Sequence, residues 1–441
     1  MNERRDLKLK RKMIDRFLGK KPGDSEAKSC LPASKTVQHS GIPKEFTRFD
    51  CHPGYKKILL PKTVAARFGV DNPFFRVHDD IAGAKTRING RGYINFSNYN
   101  YLGLAGHPDV NKAAKDAIDR YSTSVSASRL VAGERLVQQE LEEALASLYE
   151  VDDCVVFVSG HATNVSTIGY LFGSKDLIIH DSLIHNSVLE GIKLAGSARR
   201  SFPHNDTETL DKILAEHRGK FERVLIVIEG LYSMDGDFPD LPTLIDLKLR
   251  HKAFLMIDEA HSFGVLGDTG KGIREHFGID GKAVDIWMGT LSKALAGCGG
   301  FIAGSQALVE HLKYAAPGFV YRAGMPPPLA AASLEALRIM KREPERVKRL
   351  REISQQFLQE MKAIGMNTGY AQGNAVVPAI IGSSLKASKI SNQLLETGIN
   401  VQPIIFPAVE EKSARLRFFL STMHEHKDIA YTLKMVQRLI S

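Results

Sequence analysis

The chain has 441 residues, 43% hydrophobic, 25% charged and 8% aromatic, with a formal net charge of +9. That length is enough for two domains with sizeable cores. No apolar run reaches the roughly 18 to 20 residues that a bilayer span requires, which excludes an integral membrane segment. Residues 1–21 hold nine Lys or Arg against three Asp or Glu, an excess of six that leaves three charges for the rest. Basic charge concentrated in a tail, rather than spread over a folded face, argues against nucleic-acid binding. The start has no apolar core of a secretory signal. Four scattered cysteines, Cys30, Cys51, Cys154 and Cys298, show no CxxC or metal-ligand spacing; that pattern suits reduced thiols in a cytoplasm.

In chain order, residues 1–45 read as a basic flexible leader and 46–97 as an N-terminal segment packing on the smaller domain. A large domain is expected over 98–328 and a small C-terminal domain over 329–441. Within the large domain, CVVFVS (Cys154–Ser159), DLIIH (Asp176–His180), RVLIVIEG (Arg223–Gly230), AFLMIDEA (Ala253–Ala260), DIWMG and GGFIAG are short aliphatic runs. Amphipathic patterns such as LDKILAEHRGKF lie between several of them. Continuous apolar strands alternating with helices predict an α/β fold, a mostly parallel sheet covered on both faces. After Pro326 the rhythm changes to a long helical region, Leu329–Ile364, then VVPAIIG, a helix near Ile390–Thr397, INVQPI, ARLRFFL and a final helix. That is a smaller α+β domain.

Three motifs invite readings that their context removes. DEAH at Asp258–His261 lacks the Gly-Lys-Ser/Thr loop that an ATPase needs. The glycines of GCGGFIAG precede a strand-like run, whereas a dinucleotide fingerprint follows one. His180, Asp181 and His185 show no further ligand for a metal, and lone histidines at strand ends are more often structural. The remaining residues fit one cofactor. Ser159, Gly160 and His161 stand where a strand turns into a helix, whose free amides suit a phosphate. Asp258 ends a buried apolar strand and needs a cationic or hydrogen-bonding partner. Lys293, in DIWMGTLSKALAGCGGFIAG, is either a snorkelling surface residue or a desolvated nucleophile. Pyridoxal 5′-phosphate complements all three sites with a phosphate, a pyridinium N–H and an aldehyde.

The sequence resembles the α-oxoamine synthases, a group within the fold-type I pyridoxal-phosphate transferases, over roughly residues 90–441. The ordered blocks are FSNYNYLGLAGHP, SGHATN, HDSLIHNS, FPHND, IEGLYSMDGD, DEAHSFGVLG, GTLSKALAGCGG and ARLRFF. The resemblance implies a homodimeric acyltransferase that joins an amino acid to an acyl thioester with loss of carbon dioxide. Lys293 would link to the cofactor aldehyde and later carry the Cα proton. Asp258 would pair with the pyridinium nitrogen, His261 with the phenolic oxygen, and His185 would stack on the ring. Ser159, Gly160, His161, Ser233, Thr290 and Ser292 would complete the cofactor site. Arg417 would clamp the amino acid carboxylate through its planar fork, with Tyr99 beside the substrate.

Four positions depart from the common pattern: Gln138 where many relatives have His, His161 in place of an aromatic or apolar residue, Arg322 in place of Ser or Thr, and Tyr99, which is similar to serine palmitoyltransferase. SVSASRL and MGTLSKALAGCGG look more like synthases beside polyketide and fatty-acid machinery, which implies an acyl carrier protein as a possible partner. The rival readings are an aminotransferase or aldolase on the same fold and a non-catalytic partner subunit.

Overall fold

The computed structural model describes residues 41–440, so the basic excess of residues 1–21 lies outside the described residues. The chain divides into two compact units at Val64/Ala65. The described part of the first holds two short 3-10 turns, Lys44–Phe46 and Phe49–Cys51, and the start of a helix, Pro53–Arg67.

The second unit opens with strands β1 (Lys85–Ile88) and β2 (Arg91–Asn95), an antiparallel hairpin. Its centre is a seven-stranded sheet formed by β3 (Asp153–Phe157), β4 (Leu177–Asp181), β5 (Ala198–Phe202), β6 (Val224–Glu229), β7 (Phe254–Asp258), β8 (Ile286–Thr290) and β9 (Gly300–Gly304). The strand order is β3-β9-β8-β7-β6-β4-β5, and β9 runs antiparallel to both of its neighbours while the other pairings are parallel. All six residues of β6 are buried. Leu225 and Val227 enter one hydrophobic core while Val224, Ile226 and Ile228 enter the other. Successive side chains point to opposite faces, and both faces are covered, so the strand reads as an unbroken apolar run.

The expected central strands therefore form, with one addition. The sequence ARRSF becomes β5, an edge strand whose three middle residues are exposed. Its two arginines hide the strand pattern, and charge on an open edge discourages pairing with another chain. Beyond the sheet, the long helical region is two helices, Pro327–Arg342 and Glu345–Ala363, interrupted at Glu343 and Pro344. The smaller C-terminal domain carries β10 (Val376–Ile380), helix Ser384–Glu396, β11 (Ile399–Asn400), β12 (Gln402–Ile404), β13 (Arg415–Phe419) and helix His426–Ile440. β13 lies between β10 and β12, while β11 joins the β1–β2 hairpin in parallel with β2. Among the described residues no helix is long and apolar enough to cross a membrane.

Topology decides where chemistry can gather. Parallel strands end on one edge, which brings Asp181, Glu229, Asp258 and Thr290 to the same side of the sheet. Antiparallel β9 starts on that edge, with Gly300 opposite both Thr290 and Phe157. The turn after β3 therefore also opens there. Ligands of open α/β sheets bind outside this carboxyl edge.

Candidate active site

The turn after β3 is built by Ser159, the N-cap of helix Gly160–Leu171, whose hydroxyl accepts from the Ala162 N–H at 3.4 Å. The amides of a first helical turn have no partner inside the helix, and the helix dipole adds positive potential. Gly160 packs against β8 so closely that a Cβ would lie 2.9 Å from Thr290 Oγ1. A side chain there would fill the space between the turn and Thr290. The Thr290 hydroxyl donates to the Gly299 carbonyl at 2.9 Å and accepts from Ser292 N–H at 3.2 Å. Ser292 Oγ in turn accepts from Gly299 N–H at 3.2 Å.

Asp258 closes β7 and is 4% exposed. Its Oδ2 accepts from Asn164 Nδ2 at 2.8 Å, and Oδ1 accepts from Ala260 N–H at 3.0 Å. Asn164 also donates to Ser187 Oγ at 2.9 Å, while its own Oδ1 is buried without a partner. Two neutral donors thus orient the carboxylate, and among the described residues no cation pairs with it directly. His261 is buried three residues on, its Nδ1 2.6 Å from the Tyr101 hydroxyl. Burial, with the charges of Lys293, Arg417 and His185, holds its pKa well below the ordinary histidine value.

A cavity of about 230 Å³ joins these groups. Ser159, Gly160, His161, His185, Asp258, His261, Thr290, Ser292 and Lys293 all line it. Lys293 lies with its Nζ 5.5 Å from the Tyr99 ring centre. Burial, against the opposing pull of Asp258 and Glu229 and with help from Arg417, lowers its pKa to about 8. The alternatives for Lys293 therefore resolve toward the desolvated amine. His185 caps the next helix, accepting from Ser187 N–H at 3.3 Å, and its ring centre is 6.4 Å from that of His161. Desolvation pushes His185 below its ordinary pKa.

Arg417 and Ser233 stand beside the cavity rather than in its lining. Arg417 Nη1 donates to the Ser233 carbonyl at 2.9 Å, and its guanidinium carbon is 4.6 Å from the Phe419 ring centre. Its Nε is buried without a partner. The Ser233 N–H donates to Glu229 Oε2 at 3.1 Å.

Three residues that motif reading missed belong to this constellation: Tyr101 on His261, Asn164 on Asp258, and Glu229. Glu229 pairs in register with Asp258 on the neighbouring strand, is buried, and has no partner for Oε1. Burial and the adjacent Asp258 raise its pKa to about 8. An acid ending an otherwise apolar run in RVLIVIEG was the available signal, the same one that exposed Asp258.

Among the described residues no three His, Cys, Asp or Glu side chains converge as a metal site. His180 Nδ1 instead contacts the Asp181 carbonyl at 2.7 Å, and Asp181 serves His204. Gln138 lies buried away from the cavity, accepting from Arg135 N–H at 3.0 Å and donating to the Met325 carbonyl at 2.7 Å. Arg322 is exposed.

The sequence profile of the family described as aminotransferase class I and II matches residues 91–435. An 8-amino-7-oxononanoate synthase of Symbiobacterium thermophilum is 38% identical over 342 residues, 78% of this chain and 87% of the relative. A serine palmitoyltransferase of Sphingomonas wittichii superposes with a TM-score of 0.84 at 28% identity, covering 88% of this chain and 97% of its own. A high-resolution structure of SPT with PLP matches equally, with TM-score 0.84, 28% identity and the same coverage. A half-buried lysine and a buried carboxylate lining one cavity at the carboxyl edge of such a sheet, and likeness over most of the chain, lead to one conclusion: the chain belongs to the aminotransferase class I and II family, among its α-oxoamine synthases, and its cofactor is pyridoxal 5′-phosphate.

Proposed function

We propose that this chain condenses an amino acid with an acyl thioester, with loss of carbon dioxide, to give an α-aminoketone. The observation that carries the reading is the meeting of Lys293, Asp258 and the first turn of helix Gly160–Leu171 in one cavity, with Arg417 near enough to affect the protonation of Lys293. The residues fit the cofactor. The Gly160–Thr290 contact leaves a cradle that a Cβ would fill, and Asp258 keeps a buried, oriented acceptor. When bound, the cofactor supplies an aldehyde for amine exchange and a pyridinium ring that takes up negative charge from the amino acid Cα.

The chain's own residues then divide the work. Ser159, the Gly160 and His161 amides, Thr290 and Ser292 would hold the phosphate. Asp258 would keep the ring nitrogen protonated through a charge-assisted hydrogen bond. His185 would cover the ring face, His261 would meet the phenolic oxygen, and Ser233 would sit at the edge of the same site. Lys293, with its pKa near 8, holds an appreciable fraction of free amine at neutral pH; it can attack an aldehyde and accept the Cα proton. Arg417 would take the amino acid carboxylate, leaving its other side for the thioester beside Tyr99.

We place the catalytic domain at 98–328, the small domain at 329–441 and the enzyme in a cytoplasm as a homodimer. Exposed Leu130, Val131, Leu136 and Tyr321 support the pairing. Their two segments are joined where Ser128 Oγ donates to the Val320 carbonyl at 2.6 Å. Apolar side chains gathered on one surface are a signature of an interface. The donor is an acyl carrier protein or acyl-CoA, both anionic, and the positive excess of residues 1–21 would speed encounter with an acidic carrier protein. The test is release of carbon dioxide from an amino acid panel. Release that requires an acyl thioester is expected, with borohydride fixing the cofactor to Lys293. Amino-group transfer to a keto acid without thioester would make the chain an aminotransferase instead.

A further inference from the structure

His204 follows β5, in the FPHND block, and the proposed reaction gives it no role. Its Nδ1 is 3.0 Å from Asp181 Oδ1 and its Nε2 is 2.8 Å from Asp237 Oδ2. Both carboxylates are buried. An ionised carboxylate only accepts, so both ring nitrogens must donate, and the ring is an imidazolium. The two flanking carboxylates raise its pKa to about 10 against the opposing effect of burial. The carboxylates have further donors. Asp181 Oδ2 accepts from Asn205 N–H at 2.8 Å, and Asp237 Oδ2 accepts from Asn205 Nδ2 at 2.9 Å. Tyr232 meets the His204 ring edge-on at 4.4 Å between centroids.

The element held by this charge is the loop 230–237. Inside it, Tyr232 N–H donates to the Asp237 carbonyl and Gly236 N–H to the Tyr232 carbonyl, both at 2.8 Å. Gly236 has φ +75° and presses on β10, where a Cβ would lie 2.1 Å from the Val376 carbonyl oxygen. The far side of the loop seats both arginines of β13. The Ser233 carbonyl accepts from Arg417, and Asp235 pairs with Arg415 at 2.9 Å. His204 thus fastens one side of a loop whose other side orients Arg417.

We propose that His204 is a positioning residue for the amino acid site, a clamp bonded to a carboxylate at each ring nitrogen that fixes the 230–237 loop and through it the direction of the Arg417 fork. The inference rests on the reading of Arg417 as the carboxylate clamp. Holoenzyme would be titrated with the twenty protein amino acids, following the cofactor absorbance, and the tightest binder kept as the probe. His204→Gln cannot donate toward both carboxylates, so the dissociation constant should rise about tenfold or more. The resting spectrum and the KM for the thioester should stay within about twofold. Asp237→Asn should weaken the probe less, and the double variant should be less than additive. If His204→Gln does not yield folded protein, Asp237→Asn decides: weaker amino acid binding with an unchanged thioester KM supports the clamp, and unchanged amino acid affinity overturns it. Unchanged amino acid affinity beside a weakened Arg417→Lys control overturns the proposal and leaves His204 a purely structural ion pair. Unchanged affinity in Arg417→Lys as well would overturn the clamp reading, and this proposal with it.

Discussion

His261 and His204 stand on the same edge of one sheet, both largely withdrawn from water, and their protonation is opposite. His261 faces a phenol and the positive charges of Lys293, Arg417 and His185, and its pKa falls. His204 lies between two carboxylates, and its pKa rises to about 10. Burial disfavours the charged ring in both places, so the partners decide the sign. The comparison extends to the regions around them. The clamp pairs its charges within hydrogen-bonding distance. Both regions keep buried polar atoms without partners, Asp237 Oδ1 and Asn205 Oδ1 at the clamp and Asn164 Oδ1 and Glu229 Oε1 in the lining of the cavity, where there is room for a ligand to supply them.

Removing the cavity's cation breaks the comparison most severely. Lys293→Ala should lower turnover by about 1,000-fold or more, because nucleophile and proton acceptor leave together. Single-turnover product formation measures the loss. In the same variant without cofactor, the His261 pKa should move up toward its ordinary value, which imidazole NMR resonances would report. Asp258→Asn should keep the fold and cofactor yet cost about 100-fold in rate, roughly 3 kcal/mol of transition-state stabilisation. Near-normal turnover would remove Asp258 from the chemistry.

The clamp should answer in stability. His204→Gln leaves two buried carboxylates without their cation and should cost about 3 kcal/mol at neutral pH. The His204 pKa is raised on folding, so its contribution is whole below about 6.5, the unfolded value, and is lost as pH climbs through about 10. Melting curves of both proteins should therefore converge between pH 7 and pH 10. A gap that widens over that range would contradict the charged clamp. The smallest effect is expected from Glu229→Gln. With its pKa near 8, Glu229 is mostly un-ionised at neutral pH, so a neutral amide should keep turnover within about threefold. A larger loss, with a shifted inflection for Lys293 in the pH–rate profile, would show that Glu229 works as an anion.

Much of this architecture was legible from local order. The apolar runs located six of the seven central strands, and the acid ending AFLMIDEA, the small residues around Lys293 and the SGHATN turn marked three groups that line one cavity. β5 escaped because two arginines on an exposed edge erase the apolar signal, and the break at Glu343 and Pro344 was hidden inside a helical pattern.

What the sequence by itself determined is the alternation of strand and helix and the chemical types available at each strand end, because backbone period and side-chain polarity act over a few residues. Tertiary structure alone decided which ends meet. Nothing local says that Glu229 lies in register with Asp258, that Tyr101 bonds His261 across 160 residues, or that His204 joins Asp181 to Asp237. Those pairings depend on strand order in the sheet, and the protonation of each group depends on the pairing, since desolvation and neighbouring charge exist only once the chain has folded.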